Sequence, residues 1–387
     1  MRYLLSLFGG FALAAQAAQP LPLVEKHRFE MANFTTQSGV TLPQVQVGWE
    51  AYGKLNADKS NVILITHFFS GTSHAAGRYA ESDPLPGYWD AIIGPGKAID
   101  TNKYYVISID TLANANAFDP HVITTGPASI NPKTGKPYGM SFPVVSIRDF
   151  VRVQKAVLDS LGIHKLHAVV GPSMGSFQAL DWAVAYPDEV ERMVSVIGAG
   201  ETDPWTVFGL ERWADAIKGD PAWNHGDYYD KGQPRAGLDR ALAYIIYDAT
   251  YPTGFDATYT APRDEAPKKD IHAGFKSIAE LMEHAAVRAH YQDANSILYL
   301  VRASQIFMAG YDGNLEDNLK RIKAKTLFMP ATHDQLLMPH LAKETYQMLK
   351  KLGNDTHYQE ITGPWGHLDG LMTIQTQAKV LKKFLDK

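Results

Sequence analysis

From Val62 onward, short apolar runs alternate with longer amphipathic stretches, the pattern of parallel strands joined by crossover helices. The predicted strands are Val62–Thr66, Tyr104–Ile109, Leu166–Val170, Met193–Ile197, Thr326–Met329 and Thr356–Ile361. Several are apolar throughout, as expected of strands covered on both faces. Ahead of them, Lys26–Thr36 and Val45–Lys54 read as an antiparallel pair on the sheet edge. Helices are predicted at Ile147–Leu161, Phe177–Tyr186 and Thr373–Leu385. In the first, Ile147, Phe150, Val151, Val153, Val157, Leu158 and Leu161 recur near helical spacing. The pattern places the chain in the α/β class, on a mostly parallel central sheet.

Residues 199–321 lie between the strand ending near Ile197 and the strand starting at Thr326, too long a span for one crossover. This stretch is predicted to be an inserted helical cap on a core made of residues 18–198 and 322–387. Helical patterns fall at Ile278–Tyr291 and Asn295–Met308, and Trp205, Trp213 and Trp223 read as packing residues. A cap inserted after a central strand would cover the carboxyl edge of the sheet, where open α/β sheets bind ligands.

The amino-terminal residues follow a different pattern. Met1-Arg2 is a short positive start, Tyr3–Ala14 is apolar, and Ala15-Gln16-Ala17 fits a small-x-small cleavage site. Residues 1–17 therefore read as a secretory signal peptide, the apolar run being shorter than the ~20 residues of a membrane span. Export to the periplasm is expected, or secretion where there is one membrane, and no later segment reaches spanning length without charges.

Composition narrows the chemistry. Lys plus Arg is 37 against Asp plus Glu 41, a net charge of -4, so no basic field is available for a nucleic-acid backbone. With no cysteine, disulfides, thiolate nucleophiles and cysteine-type metal centres are excluded. There is no His-Glu-x-x-His, phosphate loop or dinucleotide fingerprint, and no metal or organic cofactor is expected.

Gly171-Pro-Ser173-Met-Gly175 lies between a predicted strand and a predicted helix. A serine on such a turn has its hydroxyl lifted clear of the sheet, and flanking Cβ atoms would collide there. Chance would give the pattern about 0.15 times in a chain of this length and composition. A serine hydroxyl is a weak nucleophile, so a base must take its proton and a carboxylate must orient that base. The later chain supplies both beyond strand ends: Asp334 in Thr332-His-Asp-Gln335, and His367 in Gly363-Pro-Trp-Gly-His367. For the oxyanion, Met174 would supply one backbone N–H, and Phe69, in the loop after the first predicted parallel strand, the other. His67 and His74 flank that loop and read as hydrogen-bonded structural residues.

Four segments in order carry a resemblance: Ile93–Asp100, Thr125–Gly135, Phe142–Asp149 and Gly171–Ala183. Together they resemble the homoserine O-acetyltransferase family, from about Phe34 to the carboxyl terminus. The resemblance implies an α/β-hydrolase fold with a helical cap, Ser173 as acyl-accepting nucleophile, Asp334 as acid, His367 as base and a homodimer. Phe69 stands where the family usually has Leu, which a backbone donor tolerates.

Two positions depart from the family pattern. Homoserine-binding members usually place an arginine in a cap helix, and that position falls on Ala214, with Arg212 about 200° round the helix. They also usually carry an acidic residue directly after the histidine, where this chain has Leu368, with Asp369 one residue late. An exported chain would in addition lack the cytoplasmic donor acetyl-CoA. The expected function is hydrolysis of small acyl esters through an acyl-enzyme on Ser173. The alternatives are acetyl transfer to homoserine or another alcohol, and a non-catalytic binding protein on the same fold.

Overall fold

The computed structural model describes residues 21–386, so the predicted signal segment lies outside the described residues. Eight strands form one sheet: β1 (His27–Thr35), β2 (Thr41–Tyr52), β3 (Val62–Ile65), β4 (Tyr105–Ile109), β5 (Ala168–Pro172), β6 (Arg192–Val196), β7 (Lys325–Met329) and β8 (Thr356–Tyr358). Their spatial order is β1-β2-β4-β3-β5-β6-β7-β8. β2 runs antiparallel to β1 and to β4, and every other pair is parallel.

The apolar strands β3 and β5 are central and buried along their whole length. Successive side chains alternate across the sheet. Leu64, Ile107 and Val169 enter one core, with Phe150 of helix α1 (Ile147–Ser160), Trp182 of α2 (Met174–Ala185) and much of the cap. Ile63, Ile65, Val106 and Val170 enter the other, with Trp89 and the carboxyl-terminal residues Leu381, Phe384 and Leu385. α1 starts in a capping box, Ser146 and Asp149 each accepting from the other's backbone N–H.

Between β6 and β7 run α3 (Pro204–Lys218), α4 (Arg235–Ala249), α5 (Pro252–Thr258), α6 (Lys276–Arg288), α7 (Ala294–Gln305) and α8 (Leu315–Leu319), with α3 packed on α4 and α7. After β7 come α9 (Pro339–Lys351), α10 (Asp369–Met372) and α11 (Ala378–Leu385).

Element ends differ from expectation for local reasons. The strand expected to reach Ile361 stops at Tyr358. Thr326 and Thr332 donate to the carbonyls of Asp355 and Ile361 (2.9 Å each), but the rung between them falls on Pro330, which has no N–H for Gln359. The chain still returns to the ladder, Ile361 donating to the Pro330 carbonyl at 2.8 Å. The helix expected over Thr373–Leu385 starts as a 3-10 turn at Ile374–Gln377, and the one expected to reach Tyr291 changes to a 3-10 turn after Arg288.

A buried ionic cluster anchors the amino-terminal segment. The Lys26 ammonium lies 2.7 Å from Glu50 and 3.5 Å from Asp110, both carboxylates being fully buried. Glu50 also accepts from Tyr52 (3.0 Å), from Tyr79 and from His74 Nδ1 (3.0 Å). Burial alone would raise the Glu50 carboxyl, but hydrogen bonding from His74 and the Lys26 charge outweigh it and hold it at about 2, below the ordinary 4.5. A depressed carboxylate contributes stability that is fully present above pH 4.5 and is lost as pH falls toward 2, here about 3 kcal/mol. Lys26→Met strands two buried carboxylates and should cost about 3 kcal/mol in urea unfolding at pH 7. That difference from wild type should shrink as pH falls from 4.5 toward 2, where Glu50 protonates and no longer needs the ammonium.

Candidate active site

The turn between β5 and α2 sets the site. Ser173 is held at φ 56 and ψ −125, a strained conformation for a residue with a Cβ. The surrounding backbone is too close for side chains on the flanking glycines. A Cβ on Gly171 would lie 2.1 Å from Thr66 Oγ1, and one on Gly175 would lie 2.1 Å from the Thr66 carbonyl oxygen. Ser173 N–H donates to the Val196 carbonyl at 2.9 Å, and Thr66 Oγ1 donates to the Gly175 carbonyl at 2.7 Å. The loop after β3 and the start of α2 are thus clamped together.

His367 reaches Ser173 from the loop after β8. Its Nε2 lies 2.8 Å from Ser173 Oγ, and its Nδ1 lies 2.7 Å from Asp334 Oδ2. An ionised carboxylate can only accept, so Nδ1 carries the proton and Nε2 offers its lone pair to the serine hydroxyl. The other Asp334 oxygen accepts from the N–H groups of Leu336 and Leu337, each at 2.9 Å. All three side chains are buried, with Ser173 at 8% exposure. The predicted Ser173, Asp334 and His367 therefore come together as one hydrogen-bonded relay that can take a proton from the hydroxyl and stabilise the resulting imidazolium.

Met174 follows the serine directly, and Phe69 lies in the loop after β3 that the Thr66–Gly175 contacts hold against the start of α2. Among the described residues, no acceptor is bonded to the backbone N–H of either one. Met174 opens α2, where the unpaired N–H groups and the helix dipole favour a developing negative charge. The Phe69 ring packs edge-on against Trp213 of α3, centroids 5.4 Å apart, so the cap covers this loop.

The histidine loop is braced from both layers. Tyr251 and Gly254 of the cap donate to the carbonyls of Trp365 (3.1 Å) and Pro364 (3.0 Å), and Trp89 Nε1 donates to the Gly370 carbonyl at 3.0 Å. Asp369 is fully buried and accepts from Trp365 N–H (3.1 Å) and Thr373 Oγ1 (2.9 Å). Its carboxyl is raised by burial against these hydrogen bonds, and it acts as a loop brace. These contacts join residues far apart in the chain and carry no motif, so sequence reasoning missed the bracing roles. Arg212 is also committed elsewhere, pairing with Asp248, which accepts as well from Trp213 Nε1 at 2.7 Å. Ala214 is buried and Leu368 is partly exposed beside His367.

The comparisons agree with this architecture. The α/β-hydrolase fold family matches residues 85–371. The homoserine O-acetyltransferase of Deferribacter desulfuricans is 38% identical over 359 residues, covering 92% of this chain and 93% of its own. The chain belongs to the homoserine O-acetyltransferase family. Among solved structures of similar proteins, the homoserine O-acetyltransferase from Bacillus anthracis is 38% identical with a TM-score of 0.92, over 95% of this chain and 99% of that one. Esterase E22 is similar at 57% identity with the same TM-score of 0.92, over 94% of this chain and 100% of that one. An esterase therefore stands nearer in sequence than that family transferase, on an equally similar backbone.

The clamp at the serine turn has a direct consequence for this family member. Gly175→Ala should destabilise the protein by about 3 kcal/mol or more, because the new Cβ meets backbone that cannot yield. Urea unfolding checks it, and a variant within 0.5 kcal/mol of wild type, roughly the surface-mutation range, would contradict the close approach.

Proposed function

We propose that the protein is a serine esterase that hydrolyses small acyl esters. The observation that carries this reading is the relay Asp334–His367–Ser173, at 2.7 and 2.8 Å, under a covering cap. His367 Nε2 takes the Ser173 proton as Oγ attacks the ester carbonyl. The oxyanion forms against the N–H groups of Phe69 and Met174. Collapse expels the alcohol, which receives the proton from His367, and leaves an acyl group on Ser173. Water then attacks the acyl-enzyme with His367 again as base, releasing the carboxylic acid and the free serine.

Water is favoured over homoserine as acyl acceptor because the expected amino-acid clamp is missing. Ala214 offers no cation, Arg212 is paired with Asp248, and Asp369 is spent on bracing the loop. The 57% identity to esterase E22 supports the same choice. Export through the amino-terminal signal is consistent with it, since ester hydrolysis needs only water.

Ser173→Ala should lower kcat for p-nitrophenyl acetate by on the order of 10⁶-fold, with little change in melting temperature. Retained turnover would mean that another residue is the nucleophile. Leu368→Asp places a carboxylate beside His367 and should raise the share of O-acetylhomoserine formed from an acetyl ester in excess L-homoserine. An unchanged product ratio would refute the clamp argument.

A further inference from the structure

His67 is completely buried at the start of the loop after β3, and the relay makes no use of it. Its Nε2 lies 3.1 Å from the backbone nitrogen of Thr111 and 3.3 Å from Asn114 Nδ2. A backbone N–H can only donate, so Nε2 must present a lone pair. The ring is then neutral with its proton on Nδ1, and Nδ1–H donates to the Phe68 carbonyl at 2.8 Å. Burial pushes the imidazole below its ordinary value, in keeping with a neutral ring.

The Phe68 carbonyl and the Phe69 N–H belong to one planar trans peptide, so they point in opposite directions. Fixing one end fixes the other. The carbonyl is held twice, by His67 Nδ1 and by Gly71 N–H at 2.9 Å. Two carbonyls further along the loop are held as well: Ser70 by Asn116 Nδ2 at 3.1 Å and Gly71 by Asn114 Nδ2 at 3.0 Å. The His67 carbonyl accepts from Gln178 Nε2 of α2 at 3.0 Å, which ties the loop to the helix carrying Met174. The Phe69 N–H, on the far side of the twice-held Phe68 carbonyl, is fixed by its peptide plane and has no acceptor among the described residues.

We propose that His67 is a positioning residue for the oxyanion: as the Nδ1–H tautomer set by Thr111 and Asn114, it locks the Phe68–Phe69 peptide so that the Phe69 N–H faces the reacting carbonyl. The proposal rests on the esterase reading. It also accounts for the absence of a proton-transfer role for this histidine, since both ring nitrogens are committed to the loop.

The test compares wild type with His67→Leu, which removes the donor, and His67→Asn, whose Nδ2 occupies the place of Nδ1. His67→Leu should lower kcat for p-nitrophenyl acetate about 10²-fold with KM nearly unchanged, as for loss of an oxyanion donor. It should slow fluorophosphonate labelling of Ser173 by a similar factor. His67→Asn should recover at least about tenfold of the loss, which packing alone would not restore. Selective ¹⁵N-histidine spectra of the wild-type protein should show His67 neutral, protonated at Nδ1, from about pH 5 to pH 8. That measurement stands even if His67→Leu fails to fold. An active wild type with unchanged kcat in His67→Leu, or a His67 protonated at Nε2, would overturn this proposal alone. A wild type that neither turns over ester nor takes the label would overturn the esterase reading, and this proposal with it.

Discussion

The close approach of the Thr66 backbone to Gly175 underlies everything at the site. It goes with Ser173 at φ 56 and ψ −125, with α2 starting immediately afterwards, and it sets the loop after β3 against the helix N-terminus. One contact therefore positions the serine hydroxyl and both candidate oxyanion donors. The central strands β3 and β5, paired and buried on both faces, supply the rigidity that holds so strained a residue in place. Secondary braces follow from it: Gln178 reaches back from α2 to the loop, and its side-chain carbonyl accepts from Gln154 of α1 at 2.6 Å.

The site was legible in the sequence where its determinants are local. Gly171-Pro-Ser-Met-Gly175 needs its glycines within two residues of the nucleophile, and Asp334 and His367 each sit just past a strand end, so a linear reading finds them. The central strands were legible because burial on both faces demands unbroken apolar runs. What stayed hidden depends on distant pairing. Pro330 deletes one rung of a ladder whose partner lies some thirty residues on, at Gln359, and shortens β8. Asp369 appears in the sequence as a displaced acidic residue, while in the fold it caps the loop that carries His367. Arg212 appears in the sequence only as a cation turned away round the helix, and its pairing with Asp248, on another helix, is not legible there.

The family comparison takes on a physical meaning in this light. On the proposed reading, the serine turn, the relay and the two backbone donors of this chain are the parts that make and hold an acyl-enzyme. Ala214 and Leu368 stand where the family resemblance leads one to expect a grip on an amino-acid acceptor. Two enzymes can share the first half-reaction and diverge in the second, according to what reaches the acyl group. A chain whose backbone is similar to that of the Bacillus anthracis transferase and whose sequence is nearer to esterase E22 fits that division.

The account is tested most directly by following the acyl group. The purified protein would be given an activated acetyl ester with and without excess L-homoserine, and acetate and O-acetylhomoserine would be quantified together. Hydrolysis through an acyl-enzyme with no amino-acid clamp should yield acetate almost exclusively, at a rate indifferent to homoserine. O-acetylhomoserine as the main product would contradict the account, because the acceptor would then have to be held by residues other than Ala214 and Leu368.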